Sequence, residues 1–195
     1  MSIRRSSLVT LVVVGAALAL VAPALAQEAA PAQKLPLKLS AFAVSMQAGM
    51  SGVLDITIDR WSTDAEREML IKTFVEGGQD KLLDALQDIR PRVGYLRTPN
   101  SLGYDIKYAR ENILPDGTRQ IVIVNDRRIG FAEARNQTRT MDYPFTLIEI
   151  RIPKGKDEGE GKWLVSTKLS VANKRLEIEN YGQEPVRLTT VKELK

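Results

Sequence analysis

The stretch VLDITIDRWSTDAE, residues 53–66, contains the change of hydrophobic period that decides the fold. Its first half alternates apolar and polar residues, so that Leu54 and Ile58 fall on one face. This period of two predicts a β-strand with one buried face. Thr63 and Glu66 then match a capping box, in which each side chain accepts a hydrogen bond from a backbone N–H at a helix start. The sequence therefore predicts a strand followed at once by a helix.

Two helices are predicted after this point. The first continues from Thr63 with apolar residues at helical spacing and ends at Gly77-Gly78. The second runs from about residue 80 to residue 89, carries its leucines on one face and is stopped by Pro91. Together they form a helical pair inserted after the second strand.

The remainder of the chain has the alternation and the turns of strands. Upstream, Phe42, Val44 and Met46 alternate with small residues. Downstream, the sequence PDG at 115–117 predicts a tight turn, because proline presets the first turn dihedral and glycine adopts a positive φ. About nine mainly antiparallel strands and the helical pair predict one α+β domain. A partly closed β-barrel with capping helices is the alternative.

Residues 1–26 have the organisation of a secretory signal peptide. Two arginines precede the apolar run 8–21, and small residues precede a cleavage site after Ala26. We therefore expect a bacterial periplasmic or secreted protein with no membrane span after cleavage. An uncleaved N-terminal anchor is the alternative interpretation. Residues 27–38 then form a flexible leader, and residues 39–195 form a single globular domain.

The chain contains no cysteine and no histidine. Their absence excludes disulfides, thiol redox chemistry, Ser-His-Asp and Cys-His catalysis, and zinc sites that use either residue. Glycine-rich phosphate loops of the common types are also missing. The run KGKDEGEGK at 154–162 has carboxylates of the kind that calcium prefers, but it lacks EF-hand spacing and contains three lysines. We therefore interpret it as a hairpin tip and expect no metal and no cofactor.

Acidic and basic residues are interspersed along the chain. The formal net charge is +4, and it falls to about +2 when the two arginines of the signal peptide are removed. Such mixing is typical of a solvated surface and not of a basic patch. We therefore expect no nucleic-acid partner.

Two polar segments contain the candidate ligand-binding residues. The loop RTPNSLGY at 97–104 is rich in turn formers, and loops on a rigid sheet often carry binding sites. The segment 127–139 is rich in arginine, which binds carboxylate or phosphate in bidentate fashion. Arginines paired with neighbouring acids or solvated are the alternative. The candidate anchors are Arg97, Tyr104, Arg128, Arg135 and Arg139.

The catalytic routes that remain use carboxylates, Lys, Tyr, Ser or Arg, and among these the carboxylates are the candidates. Asp55, Asp59, Asp105 and Glu149 are the candidates, and two of them at about 5–9 Å could serve a glycosidase. Glu149 shares a strand face with Phe145 and Leu147, which would suit an acid of raised pKa, but we expect a paired or exposed carboxylate there. No catalytic residue is assigned.

Four segments resemble those of a family of uncharacterised secreted bacterial proteins: RWSTDAERE (60–68), PRVGYLRTPNSLGYDIKYAR (91–110), EARNQTRTMDYPFTLIEIR (133–151) and ENYGQEPVRL (179–188). The resemblance covers most of the mature chain. It implies an exported, stand-alone domain, and it transfers no functional residue.

Two functions therefore compete. The first, which we favour, is an exported non-catalytic protein that binds a small ligand or a cell-envelope partner. The alternative is a carboxylate-based hydrolase or lyase that acts on an envelope glycan. The oligomeric state is left open.

Overall fold

A computed structural model describes residues 35–98, 101–129, 142–172, 175–180 and 184–194. Within these ranges the chain forms ten strands and one helix. Their bounds are β1 (Leu37–Ser45), β2 (Met50–Ile58), α1 (Asp64–Gln87), β3 (Gly94–Arg97), β4 (Tyr104–Ile106), β5 (Tyr108–Ile113), β6 (Arg119–Asn125), β7 (Phe145–Ile152), β8 (Glu158–Ala172), β9 (Arg175–Asn180) and β10 (Val186–Glu193). β1 begins two residues before the predicted start of the domain, so residues 37–38 belong to the sheet and not to the leader.

All strand pairs are antiparallel, which confirms the predicted sheet. The order is β4-β3-β2-β1-β10-β8-β7-β6-β5, and β9 pairs with β8 beside this path. β4 and β5 lie at opposite ends of the order, yet only Lys107 separates them in the chain. The N–H of Lys107 donates to the Val124 carbonyl at 3.2 Å. One continuous stretch therefore joins the two edges, and the sheet is nearly closed and barrel-like.

The interior of this sheet is filled by alternate side chains of its strands. The interior cluster takes Leu54, Ile56 and Ile58 from β2, as the alternation predicts, and it includes the fully buried Trp163 of β8. The polar residues between these positions point outward. Close packing of this kind makes the interior a hydrophobic core.

The helix packs on the outward face of the sheet. Leu70, Leu82 and Leu86 of α1 form a second buried cluster with Phe145 and Leu169. β7 therefore contributes residues to both clusters, because its alternate side chains point to opposite faces of the sheet. α1 thus covers part of the wall, whereas the barrel alternative placed the helices over one end.

The predicted helical pair is wrong: the described residues contain a single helix. α1 runs from Asp64 to Gln87 through both predicted helices. Gly78 interrupts it with φ 72° and ψ −165°, a conformation that glycine adopts without steric penalty. The helical stretches on either side of Gly78 form one kinked element, so a kink replaces the predicted break. The start of α1 was predicted correctly, because Thr63 is its N-cap and the capping box with Glu66 is present.

Candidate functional site

Three candidate acids, on β2, just after β2 and on β4, are held in ion pairs. Ser40 donates its hydroxyl to Asp55 at 3.0 Å, and Arg97 lies 3.6 Å from the same carboxylate. Arg92 lies 3.4 Å from Asp59 and 3.6 Å from Asp105, so the two acids share one guanidinium. These contacts form a network of paired charges on the outward face of the sheet, as expected for a solvated surface.

Glu149 is also a paired carboxylate. Its Oε1 atom accepts hydrogen bonds from Gln120 Nε2 at 2.6 Å and from Arg151 Nε at 2.9 Å. Partial burial raises the pKa of Glu149, but these two bonds and the nearby Lys162 outweigh it, and the net pKa lies below its ordinary value. A general acid at neutral pH needs the opposite shift. The environment of Glu149 therefore suits a structural carboxylate.

The predicted arginine anchors do not form one described cluster. Leu96 pairs with Tyr104 across β3 and β4, so both belong to the inward face, and Tyr104 is partly buried against the interior cluster. Arg97, the next residue of β3, has the register of the outward face. Arg128 follows β6 and is half-buried. The remaining predicted residues, Arg135, Arg139 and the cleavage residue Ala26, lie outside the described residues.

A depression of about 530 Å³ lies between the β5–β6 turn, the β7–β8 turn and β10. Three of its five charged side chains have partners within the protein, and the other two, Lys156 and Glu160, have opposite charges. Arg151 is bonded to Glu149, Glu158 lies 2.6 Å from Lys192, and Asp116 accepts hydrogen bonds from Thr118. Because Arg151, Glu158 and Asp116 are satisfied within the protein, they are not available to hold a ligand in the depression.

The end of the β1–β2 hairpin has a different character. Large apolar side chains are exposed there: Phe42 by 45 %, Met46 by 68 %, Met50 by 38 % and Val53 by 41 %. We call these four residues the hairpin patch. Every residue from 46 to 51 is exposed, so the hairpin end projects from the sheet. A concentration of exposed apolar side chains on a projecting turn is typical of an interaction site.

The register of the hairpin distributes the patch over both of its faces. Phe42 and Val53 are opposite each other on the outward face. Met46 lies in the connecting turn. Met50 pairs with Ser45, so its side chain is on the face that turns inward in the rest of β2. Met50 itself is not part of the interior cluster. The hairpin end is therefore apolar on both sides.

Two cations lie on the outward face beside this patch. One cross-strand row runs from Val44 to Arg187, then to Lys162 and then to Glu149. Arg187 and Lys162 are directly opposite each other, and we call them the basic pair. Neither has an ion pair within 4.0 Å in the part of the chain that the structure describes. Like charges opposite each other destabilise a sheet by about 0.2–1 kcal/mol. Lys162 faces Glu149 on its other side, and the attraction to this carboxylate offsets part of the repulsion. Arg187, by contrast, has an apolar residue, Val44, on its other side.

Neither the hairpin patch nor the basic pair is evident from the sequence. Alternation in β1 shows that Phe42 and its small neighbours have opposite faces, but it does not show which face is inside. The structure places Ala41 and Ala43 in the interior cluster, together with Trp163. The large residue is consequently outside. The unusual cross-strand pairing of Arg187 depends on the strand order, which the sequence does not specify.

No family model, no curated protein and no solved structure matches this chain. Across the described ranges, no helix is both long enough and apolar enough to cross a membrane. The same residues contain no group of three or more acidic side chains arranged to hold a metal ion. The exposure and the charges of the described residues are therefore the basis on which a function can be proposed.

Proposed function

We propose that this chain is an exported, non-catalytic protein that binds a component of the cell envelope through the hairpin patch. The observation that carries the proposal is the exposure of four large apolar side chains on, and directly behind, one projecting hairpin end. The resemblance to secreted bacterial proteins and the organisation of residues 1–26 supply the expected compartment.

The size of the patch suits weak, reversible binding. Burying a Phe, Met or Val side chain completely is worth about 1.5–3 kcal/mol. Scaled by the exposed fractions of the four side chains, covering the patch is worth about 3–6 kcal/mol before the cost of association. A partner that contacts the patch alone would therefore bind weakly, and additional contacts would be needed for a stable complex.

A surface site fits the packing of this fold better than an interior site. The interior positions of the main strands are occupied by tightly packed side chains such as Ile56, Ile121 and Trp163. The pairing of Glu149 and the shared arginine of Asp59 and Asp105 also argue for binding and against carboxylate catalysis.

Methionine oxidation tests the proposal with an internal control. Met46 and Met50 belong to the patch, whereas Met69 lies on α1 and is 41 % exposed. We expect peroxide to oxidise all three in the purified protein, because oxidation follows exposure. In the native envelope fraction, Met46 and Met50 should be protected and Met69 should not. Equal oxidation of Met46 in the two samples would show that nothing covers the patch, and the proposal would be wrong.

A further inference from the structure

We infer that the envelope component is the anionic surface of a phospholipid bilayer, into which the hairpin end inserts. This inference rests on the proposed function and names the partner of the same site. Three properties of the site support it: its small area, its apolar character on both faces, and its flanking cations.

The area of the patch is the first argument. Stable protein–protein interfaces bury about 1,200–2,000 Å² in total and present a broad surface. The hairpin patch has only four side chains, and one of them, Met50, lies on the opposite register from Phe42 and Val53. A flat protein partner would cover one side of the hairpin and leave the other exposed. A bilayer surrounds an inserted hairpin end, so both faces of the end would leave water together; Phe42 pairs with Thr189 of β10 and lies behind the end, at the level of the membrane surface.

The chemistry of the end is the second argument. Met46 is the most exposed residue of the patch, and it lies in the turn with Gln47, Ala48 and Gly49. The turn carries no charged side chain. Backbone polar groups of the turn are partly satisfied locally, because Gly49 N–H donates to the Met46 carbonyl at 3.3 Å and Ala48 N–H donates to the Ser45 hydroxyl at 3.3 Å. Such a segment can enter the headgroup–acyl boundary at lower cost than an open turn.

The charges around the end are the third argument. Arg187 lies opposite Val44 on the strand next to the patch, and Lys162 follows Arg187 in the same row. Each exposed cation near an anionic bilayer contributes favourable interaction, and the contribution falls within a Debye length. Two carboxylates oppose this, Glu149, which lies opposite Lys162 in the same row, and Glu184. Glu184 lies next to the end, where its N–H donates to Gln47 Oε1 at 3.2 Å.

The Glu184 carboxylate supplies a variant that should change vesicle binding in the opposite direction to the variants of the basic pair. Glu184→Gln should strengthen binding to anionic vesicles, whereas Arg187→Gln and Lys162→Gln should each weaken it about five-fold. Met46→Ser combined with Met50→Ser should weaken binding at least about ten-fold. The exposed fractions of the two side chains together equal about one fully exposed methionine, whose burial would be lost. Added salt should reduce the binding of the wild type more than that of the Arg187→Gln variant.

The experiment is co-sedimentation with vesicles that contain phosphatidylglycerol, compared with vesicles of phosphatidylcholine alone. All variants carry the same N-terminal region, so any contribution of residues 1–34 is common to them. The matched controls are on α1: Ile71→Ser combined with Val75→Ser removes exposed apolar groups, and Lys72→Gln removes an exposed cation. We expect the controls to bind like the wild type. As a second measurement, the emission of a Met46→Trp variant should shift to the blue with anionic vesicles.

The outcomes separate the two proposals. Weakening by the patch and basic-pair variants, without weakening by the controls, supports insertion into an anionic bilayer. If the wild type ignores both vesicles while Met46 is protected in the envelope fraction, the partner is a protein or a glycan; the lipid inference is then overturned and the proposed function stands. If vesicle binding and protection are both absent, both proposals are overturned. Equal effects of the patch variants and the α1 controls would also overturn the lipid inference.

Discussion

Replacement of Glu66 by glutamine tests how the first strand pair is attached to the helix. The Glu66 carboxylate accepts hydrogen bonds from Arg60 Nη1 at 2.9 Å and from Arg60 Nη2 at 2.8 Å. It also accepts the Thr63 N–H at 2.8 Å, which completes the capping box. Arg60 Nη2 donates in addition to the Pro91 carbonyl at 2.8 Å. Glu66 therefore joins the end of β2, the start of α1 and the chain that follows α1.

The expected loss follows from the exposure of this pair. The side chains of Arg60 and Glu66 are only 24 % and 20 % exposed, so solvent screens their interaction incompletely. A hydrogen bond to a charged group is worth about 1.5–3 kcal/mol, and glutamine retains one accepting oxygen. We expect Glu66→Gln to lower the free energy of unfolding by about 2 kcal/mol, or about 4–8 °C in Tm for a domain of this size.

The loss should depend on pH in a defined direction. The Arg60 hydrogen bonds are the main cause of a pKa of Glu66 below its ordinary value of 4.5. The stabilisation by the carboxylate is therefore fully present above pH 4.5 and is lost as the pH falls through the lower pKa of the folded state. Glutamine does not titrate. The difference in Tm between wild type and Glu66→Gln should consequently be largest near neutral pH and shrink under acid conditions.

Thermal unfolding followed by circular dichroism measures this difference, with Glu68→Gln as the control. Glu68 lies two residues further along α1, is exposed and has no ion pair in the described part of the chain. We expect the control to melt like the wild type. Two results would refute the reasoning: a Glu66→Gln variant that melts within about 1 °C of the control near neutral pH, or a difference that stays constant as the pH falls.

The same assay tests three further substitutions. Gly94→Ala should destabilise the protein by about 1–3 kcal/mol, because a Cβ atom there would overlap the Thr57 carbonyl oxygen, which belongs to the backbone and cannot yield. Gly77→Ala should destabilise the protein less than Gly94→Ala, because the new Cβ atom would lie 2.6 Å from Cγ and 2.7 Å from Cβ of Lys81, near the helix backbone, while the helix preference of alanine offsets part of this cost; a Gly77→Ala variant more stable than the wild type would contradict this argument. Thr146→Val should lower stability by about 1–3 kcal/mol, because the Thr146 hydroxyl accepts the buried Ile129 N–H at 2.9 Å. A Thr146→Val variant as stable as the wild type would show that this N–H finds another partner.

Local patterns predicted the elements of this fold well. The alternation in β2 identified its inward face, and the capping box at Thr63 identified the start of α1, because both depend on neighbours in sequence. The predicted end of the first helix was wrong, also for a local reason. Gly77-Gly78 indicates a helix end, but only Gly78 leaves helical geometry, and the packing of Leu82 and Leu86 allows the helix to continue.

Contacts between distant strands could not be predicted. The closure of the sheet depends on β4 and β5 having different partners on either side of Lys107, and no pattern within residues 104–113 specifies either partner. The residues of the candidate site could not be predicted for the same reason. Arg187 is notable only because Lys162 is opposite it, and these residues are brought together by the pairing of β8 with β10.

The pairing of the first strand with the last has a consequence for the order of events during synthesis. β1 lies between β2 and β10, and Val44 is paired with Arg187 near the C-terminal end of the described chain. A sheet with this connection has many contacts between residues far apart in sequence, which predicts slow folding. Before residues 186–193 have been made, one edge of β1 has no partner and the core is open on that side. The nascent chain would therefore stay unfolded, and exposed to chaperones, until residues 186–193 have been made.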